Sequence, residues 1–428
     1  MHAASVIVSV LSFGRAMGDA EIWADRNVLK NTLIPRDRAQ SRMIATTVLR
    51  RTGEIEAAIE PFLDRPLPSQ PPLLRAILYA GAAQLMFLET PAHAAINIAV
   101  EHASRVPETN RFDGLINALL RKVAGAVDAR SLEHDPLRNI PDWLMQRWIR
   151  TYGEEDARRI AEASLREAAL DITVKSDPEK WAAELGGIVL PTGTVRTPAK
   201  GRIDALPGFS EGEWWVQDAA AALPARLLGD VAGLTIADLC AAPGGKTADL
   251  VARGAKVTAV DISLERLGRV RENLSRLKLS AEVVEADAGL WLPEQRFDAV
   301  LLDVPCTATG TIRRHPDILR LKRSEDIAKI VDSQARLLRN AIQLVKPGGL
   351  VVYCTCSLEP EEGVELVGRF LAGTTSVERV PIEAGEAGIA AEWLTPRGEL
   401  RTLPFHMPHE QPELAGLDGF YAVRLRVL

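Results

Sequence analysis

Cysteine is scarce in this chain: Cys240, Cys306, Cys354 and Cys356 are the whole supply in 428 residues. They are too few and too clustered for a disulfide framework, which excludes a stapled secreted scaffold and points to reduced thiols in a cytoplasmic protein. Long hydrophobic runs are missing as well. The apolar stretch Ala3 to Phe13 has no Lys or Arg before it and is too short to span a bilayer, so no membrane is expected and a ragged or misassigned start is the simpler reading. Nor is there an excess of positive charge. The net charge is −6, so no global basic field announces nucleic acid, and any RNA contact must come from local patches. No second cysteine pair or group of histidines accompanies Cys354 and Cys356, so no metal is expected. A repeat of fixed period and low-complexity tracts are absent too.

What is present suits an ordinary multidomain protein. The 47% apolar and 25% charged content allows a sizeable core. From Ile34 to Val127 apolar residues recur three and four apart, in Ala39 to Arg50, Leu73 to Leu88, Ala94 to Ala103 and Leu115 to Val123. That spacing predicts a helical bundle, broken by the prolines Pro61, Pro66, Pro68, Pro71 and Pro72. A middle section, 131–212, mixes the helix Trp143 to Ala169 with the extended runs Ile172 to Val174 and Ile188 to Leu190, and reads as a small α+β linking subdomain. After Trp214-Trp215-Val216-Gln217-Asp218 strands alternate with helices: strands Leu234 to Leu239, Lys256 to Val260, Ala281 to Val284, Phe297 to Leu302 and Leu350 to Tyr353, with helices Thr247 to Arg253, Leu264 to Leu277 and Ser333 to Val345 between them. This alternation predicts an α/β domain over 213–428 with a parallel sheet covered on both faces.

Three short segments carry the chemistry. The first, Asp238-Leu239-Cys240-Ala241-Ala242-Pro243-Gly244-Gly245-Lys246-Thr247, falls where the first strand ends, the place at which open parallel sheets bind ligands. Small residues let backbone amides approach a ligand, and the next helix offers its positive end to a carboxylate. The spacing fits neither a phosphate P-loop nor the dinucleotide fingerprint, so a methionyl carboxylate is the better guest. Asp261 ends the second strand, where it can accept bonds from ribose hydroxyls, and Asp287 follows the third, in reach of an adenine amino group. Either alone reads equally well as a turn or N-cap aspartate, but at successive strand ends they favour a nucleoside pocket, hence S-adenosylmethionine.

The second segment is Asp303-Val304-Pro305-Cys306 and the third Thr355-Cys356-Ser357, each just past a strand. Two adjacent strand ends would hold both sulfurs near one flipped base. Carbon 5 of cytosine is unreactive until a nucleophile adds to carbon 6, and a thiolate is the natural choice. An acid at ring nitrogen 3 would stabilise the adduct, with Asp303 the candidate. Spacing alone leaves open which cysteine attacks. Buried core is the duller reading of a cysteine and is adopted for Cys354 and, mostly, for Cys240.

At these residues the chain closely resembles the Sun/RsmB-like family of bacterial ribosomal RNA cytosine carbon-5 methyltransferases. The resemblance rests on Asp238 to Thr247, on Asp303 to Gly310 and its continuation to Asp317-Ile318, and on Tyr353 to Glu362; Ala95-Ile96-Asn97 and Gly114 to Arg121 look like a NusB-type RNA-binding domain. It implies an all-α NusB-like domain over 34–130 after an N-terminal extension 1–33, then the linking subdomain and a Rossmann-like class I methyltransferase domain. It also implies Cys356 as the attacking thiolate and Cys306 as the group assisting release, in a monomer. Cys240, Ala241, Ala242, Pro243, Gly244, Gly245, Lys246, Asp261, Asp287 and Asp303 would hold S-adenosylmethionine. Val304 and Thr307 depart from the family's usual Ala and Ser without removing a reacting group.

The basic run Arg313, Arg314, Arg320, Lys322 and Arg323 is expected to meet RNA phosphates, a solvated helix face being the alternative. Two other functions fit parts of the pattern: a methyltransferase for another RNA or a non-RNA substrate with structural cysteines, or an RNA-binding assembly factor.

Overall fold

The computed structural model describes residues 1–28, 33–198 and 201–428. Two stretches of the expected extension and linking subdomain, 29–32 and 199–200, lie outside the described residues. The chain forms two units, one of residues 1–146 with 315–322, the other of 147–314 with 323–428.

The first unit is helical: α1 (His2–Phe13), α2 (Met17–Asn27), α3 (Pro35–Ile59), α4 (Pro72–Phe87), α5 (Ala92–Arg105), α6 (Asp113–Asp128), the start of α7 (Asp142–Tyr152), and a late turn of helix, Ile318–Leu321. Pro35 and Pro72 open their helices at positions where a missing N–H costs nothing. The first two helices correct the sequence reading. Ile7, Val10, Ala20 and Ala24 are buried in one core with Leu49, Ile55, Leu78 and Leu120, so residues 2–27 belong to the bundle and not to an extension before it. The run Ala3 to Phe13 is apolar because α1 packs on α2, α3 and α4. Asp317 and Arg320 also belong here: Met17 N, the first amide of α2, donates to Asp317 Oδ2 at 3.0 Å, and Arg320 Nη2 donates to the Asn139 carbonyl at 2.7 Å.

In the second unit, α8 (Glu154–Ser164) is followed by β1 (Leu170–Val174), α9 (Pro178–Glu184), β2 (Ile188–Val189), β3 (Val195–Thr197) and β4 (Trp214–Val216), then by α10 (Ala219–Arg226). The strands make an antiparallel sheet in the order β2-β3-β1-β4, over a small core of Ile172, Trp181, Val195 and Trp214. This sheet runs past the expected boundary at 212 because β4 pairs with β1, and residues 147–212 share a unit with the α/β domain after them.

The larger sheet contains β5 (Thr235–Leu239), β6 (Lys256–Asp261), β7 (Glu282–Glu285), β8 (Phe297–Asp303), β9 (Val345–Thr355), β10 (Val377–Arg379), β11 (Leu400–Thr402) and β12 (Phe420–Val427). Between them in the chain lie α11 (Gly245–Ala252), α12 (Leu264–Arg276), α13 (the late turn Ile318–Leu321), α14 (Ser324–Gln343) and α15 (Val364–Ala372). The order is β10-β12-β9-β8-β5-β6-β7, with β11 beside β12. Strands β5 to β9 are parallel, as expected; β10, β11 and β12 are added antiparallel. From β5 the chain steps outward through β6 and β7, then returns to the other side of β5 as β8. The order therefore reverses between β5 and β8, where the crevice of such a sheet lies. Helix α14 starts nine residues before the expected Ser333, since Asp326 Oδ2 accepts from Arg323 N and the acids of its first turn suit a helix start.

Candidate active site

The loop after β5 is shaped by its small residues. Ala241 N donates to the Val260 carbonyl at 3.0 Å and Gly244 N to the Ala241 carbonyl at 2.8 Å, closing a turn that Gly244 completes at φ 99°, a left-handed conformation that favours glycine. A side chain there would also press on Val270, 3.2 Å from the added carbon. Cys240 takes the left-handed region too, at φ 61°. Beneath the turn, Thr247 Oγ1 donates to Asp238 Oδ2 at 2.5 Å, while Asp238 Oδ1 is buried without a partner. Burial pushes the Asp238 carboxyl up to about 7, against the opposing bond from Thr247.

Asp261, at the end of β6, accepts from the amides of Ala242 at 3.2 Å and Ser263 at 3.0 Å and lies 3.5 Å from Arg266 Nη1. Asp287 accepts from Arg336 Nη1 and Gly289 N, each at 2.8 Å, and Arg336 holds its carboxyl below the usual carboxylate range. At the end of β8, Asp303 Oδ2 accepts from Lys246 Nζ at 2.7 Å and Oδ1 faces the Cys354 thiol at 3.5 Å. Burial opposes the Lys246 charge, but Asp303 and the neighbouring groups outweigh it and raise the amine above its ordinary value. The donor set fits a nucleoside joined to an amino acid: a glycine turn opening α11, carboxylates at the ends of β5, β6 and β8, and one after β7.

The thiols converge for a topological reason. Strands β8 and β9 are parallel neighbours with Asp303 opposite Cys354, so the chain leaves both at one level. Val304 N donates to the Cys354 carbonyl at 3.1 Å, Gly310 N to the Cys356 carbonyl at 2.9 Å, and Gly419 N to the Gly310 carbonyl at 2.8 Å. The result is a Cys306 Sγ to Cys356 Sγ distance of 3.3 Å. The hydrogen bond with Cys306, then burial, raise the Cys356 thiol well above its ordinary value. Cys354 is fully buried, which raises its thiol likewise; Cys240 is pushed up to about 12 by burial and then by the nearby Asp303 and Asp261.

The expected phosphate contacts are not open to most of the basic run. Arg314 bonds Asp218 Oδ2 at 2.7 Å and Asp418 Oδ2 at 3.0 Å, Arg313 Nε lies 3.2 Å from Asp418 Oδ1, and Arg320 bonds main-chain carbonyls. With Arg196, whose Nε and Nη2 each lie 2.7 Å from Asp171, Arg313 and Arg314 join a buried cluster of three arginines and three aspartates. These guanidinium groups hold the chain after Cys306 in place. Of the five, only Arg323 is exposed, with Lys322 half-buried beside it.

Several contributors went unseen in the sequence. Gln217 Oε1 accepts from Thr173 Oγ1 at 2.9 Å and Trp215 Nε1 at 3.0 Å, which sets its amide beside Gly245. Arg147 Nε bonds Glu359 Oε2 at 2.5 Å and Tyr152 OH donates to the Leu358 carbonyl at 2.5 Å, clamping the chain just after Cys356. The acidic run Glu359-Pro360-Glu361-Glu362 was the available signal for those partners.

Known proteins resemble the chain over nearly its whole length. A family model for the 16S rRNA methyltransferase RsmB/F matches residues 225–426, and one for the NusB family matches residues 2–125. The ribosomal RNA small subunit methyltransferase B of Vibrio cholerae is 37% identical over 406 residues, covering 90% of this chain and 92% of that protein. Its namesake from Xanthomonas campestris is 36% identical over 408 residues, 90% of each. The crystal structure of PH0851 shares the fold with a TM-score of 0.77 at 23% identity, over 99% of this chain and 98% of the other. A methyltransferase homolog protein from Pyrococcus horikoshii, 27% identical, gives a TM-score of 0.55 over 70% of this chain and 97% of its own. Among the described residues no helix is long and apolar enough to cross a membrane.

Proposed function

Because the chain belongs to the RsmB/F family of 16S rRNA methyltransferases, we propose that it methylates carbon 5 of a cytosine in small-subunit ribosomal RNA through Cys356 and Cys306. The observation that carries this reading is the 3.3 Å separation of the two sulfurs at neighbouring strand ends. A methyltransferase acting on oxygen or nitrogen needs no thiol, whereas carbon 5 chemistry needs a nucleophile and an assistant at the leaving step.

Cys240 to Lys246, with Asp261, Asp287 and Asp303, would hold S-adenosylmethionine, which supplies an electrophilic methyl group when bound. Cys356 Sγ adds as thiolate to carbon 6, and its electron pair moves through carbon 5 toward the ring carbonyl and nitrogen 3. Asp303, kept in place by Lys246, is assigned to ring nitrogen 3 as the group through which that position takes a proton. Carbon 5, now nucleophilic, acquires the methyl group. Its remaining proton must then leave, and the Cys356 Sγ–carbon 6 bond breaks to restore the base. Cys306, one sulfur contact from the leaving thiolate, assists this elimination. The raised thiol of Cys356 makes proton removal part of the task, and the Lys246 cation, which acts against that rise, is the nearby group that eases it.

The test is direct. Enzyme, labelled S-adenosylmethionine and 16S RNA should give 5-methylcytosine, and Cys306→Ala should accumulate a denaturation-resistant RNA adduct that Cys356→Ala abolishes. A folded enzyme that transfers no label to cytosine, or a Cys356→Ala variant with intact turnover, would overturn the reading.

A further inference from the structure

One buried carboxylate binds both cysteine loops. Glu362, fully buried, lies in the short turn Pro360–Glu362 that leads from the Cys356 loop into α15. Its Oε2 accepts from the amide of Thr307 at 3.0 Å and from Gln334 Nε2 at 3.0 Å. Its Oε1 accepts from Ser357 Oγ at 2.6 Å and from Thr307 Oγ1. Thr307 follows Cys306 directly and Ser357 follows Cys356 directly. Gln334 completes the grip, since Nε2 also donates to the Pro305 carbonyl at 2.9 Å, on the other side of Cys306. The hub is itself anchored. Tyr353 OH donates to the Glu362 carbonyl at 2.6 Å, and Thr307 Oγ1 and Ser357 Oγ stand 3.0 Å from each other.

Four donors on two oxygens saturate this carboxylate from both loops at once. None of the four is a cation, so the pattern differs from the ion pairs elsewhere in this unit, where carboxylates are held by arginine or lysine. Charge-assisted hydrogen bonds of this kind are the strong ones, and deep in a protein they fix position more than they add stability. Glu362 bonds neither sulfur; what it holds is the residue after each.

We infer that Glu362 is a positioning residue for the thiol pair: by bonding Thr307 and Ser357 together it sets the distance at which Cys306 and Cys356 face each other. The inference rests on the reaction proposed above for its bearing on catalysis, but the distance itself can be read without any methylation.

Two measurements on the full chain test it. Diamide oxidises two adjacent thiols, each losing a hydrogen to the azo reagent, which becomes a hydrazine as the S–S bond forms; the rate of Cys306–Cys356 closure, followed by tandem mass spectrometry, reports how close the sulfurs stay. Glu362→Ala is expected to slow closure and to lower kcat about 100-fold with KM for RNA nearly unchanged, the scale of loss when a reacting group is misplaced by about 1 Å. Glu362→Gln keeps the shape and part of the accepting capacity, so it should recover part of both losses; it also serves if the alanine variant does not fold. A folded Glu362→Gln or Glu362→Ala enzyme that closes the disulfide and turns over at the unsubstituted rates would overturn the inference. An unsubstituted enzyme that closes the disulfide in a Glu362-dependent way yet makes no 5-methylcytosine would instead sink the proposed reaction and leave the positioning role standing.

Discussion

Gly310 is fastened to Cys356 main chain to main chain: its amide donates to the Cys356 carbonyl at 2.9 Å, and its own carbonyl accepts from Gly419 at 2.8 Å. A β-carbon at position 310 would fall 2.0 Å from the Gly419 oxygen and 2.7 Å from the Cys356 oxygen. Neither atom can swing aside, because both are backbone. Gly310→Ala is therefore expected to cost about 3 kcal/mol of stability, by overpacking, and to reduce turnover further than that loss explains. Denaturant melts beside methylation rates would check it, and a variant matching the parent in both would show that position 310 tolerates a side chain.

The hydrogen bond between the sulfurs also makes a pH prediction. Cys306 is the leading cause that lifts the Cys356 thiol, so Cys306→Ala should let that thiol ionise at lower pH. A larger thiolate fraction at each pH results, and the alkylation rate of Cys356 by iodoacetamide should rise earlier along the pH axis in the variant. An unmoved profile would mean that burial alone sets the ionisation.

Asp238 should leave a signature in the pH dependence of stability. Its folded carboxyl titrates at about 7, while an unfolded aspartate does so at about 3.9. Between those limits the folded chain holds the extra proton, so this group makes stability fall as pH rises from about 4 to about 7. Asp238→Asn, which can still accept from Thr247, is expected to flatten that slope while leaving stability at its acid end nearly unchanged. Melts across the range decide the matter.

Arg314 separates a structural from an RNA-binding role. If it serves to neutralise Asp218 and Asp418, Arg314→Met should cost about 3 kcal/mol, because removing one side of a buried pair strands the other. A phosphate contact would instead leave the melt untouched and reduce the salt dependence of RNA affinity by about one unit of slope. Thermal melts and filter binding at several salt concentrations distinguish the two.

The placement of the loops was legible because they sit at strand ends, and strand ends of a parallel sheet are marked by apolar runs stopping at Gly, Pro or Asp. Cys240, Asp261, Asp303 and Cys356 all lie within a residue of such an end. The arginines are misleading in the sequence because their partners are distant: Arg313 and Arg314 look unpaired until Asp171, Asp218 and Asp418 fold against them, and Arg320 until it meets the carbonyls of Leu49 and Asn139. The first helix misleads for the reverse reason. An apolar segment with no periodic polar face, such as Ile7 to Val10, carries no sign of what will cover it. Glu362 is hidden among neighbouring acids that point elsewhere, Glu359 and Glu361 to Arg147.

The helical unit is completed by a piece of chain made much later than the rest of it. A ribosome extrudes α2 long before Asp317 has been translated, so the Met17 amide has no carboxylate to bind during most of synthesis. Until residues 315–322 are made, that part of the bundle stays unfinished. For the same reason no single cleavage, whether by a protease or by a gene fission, could release that bundle whole.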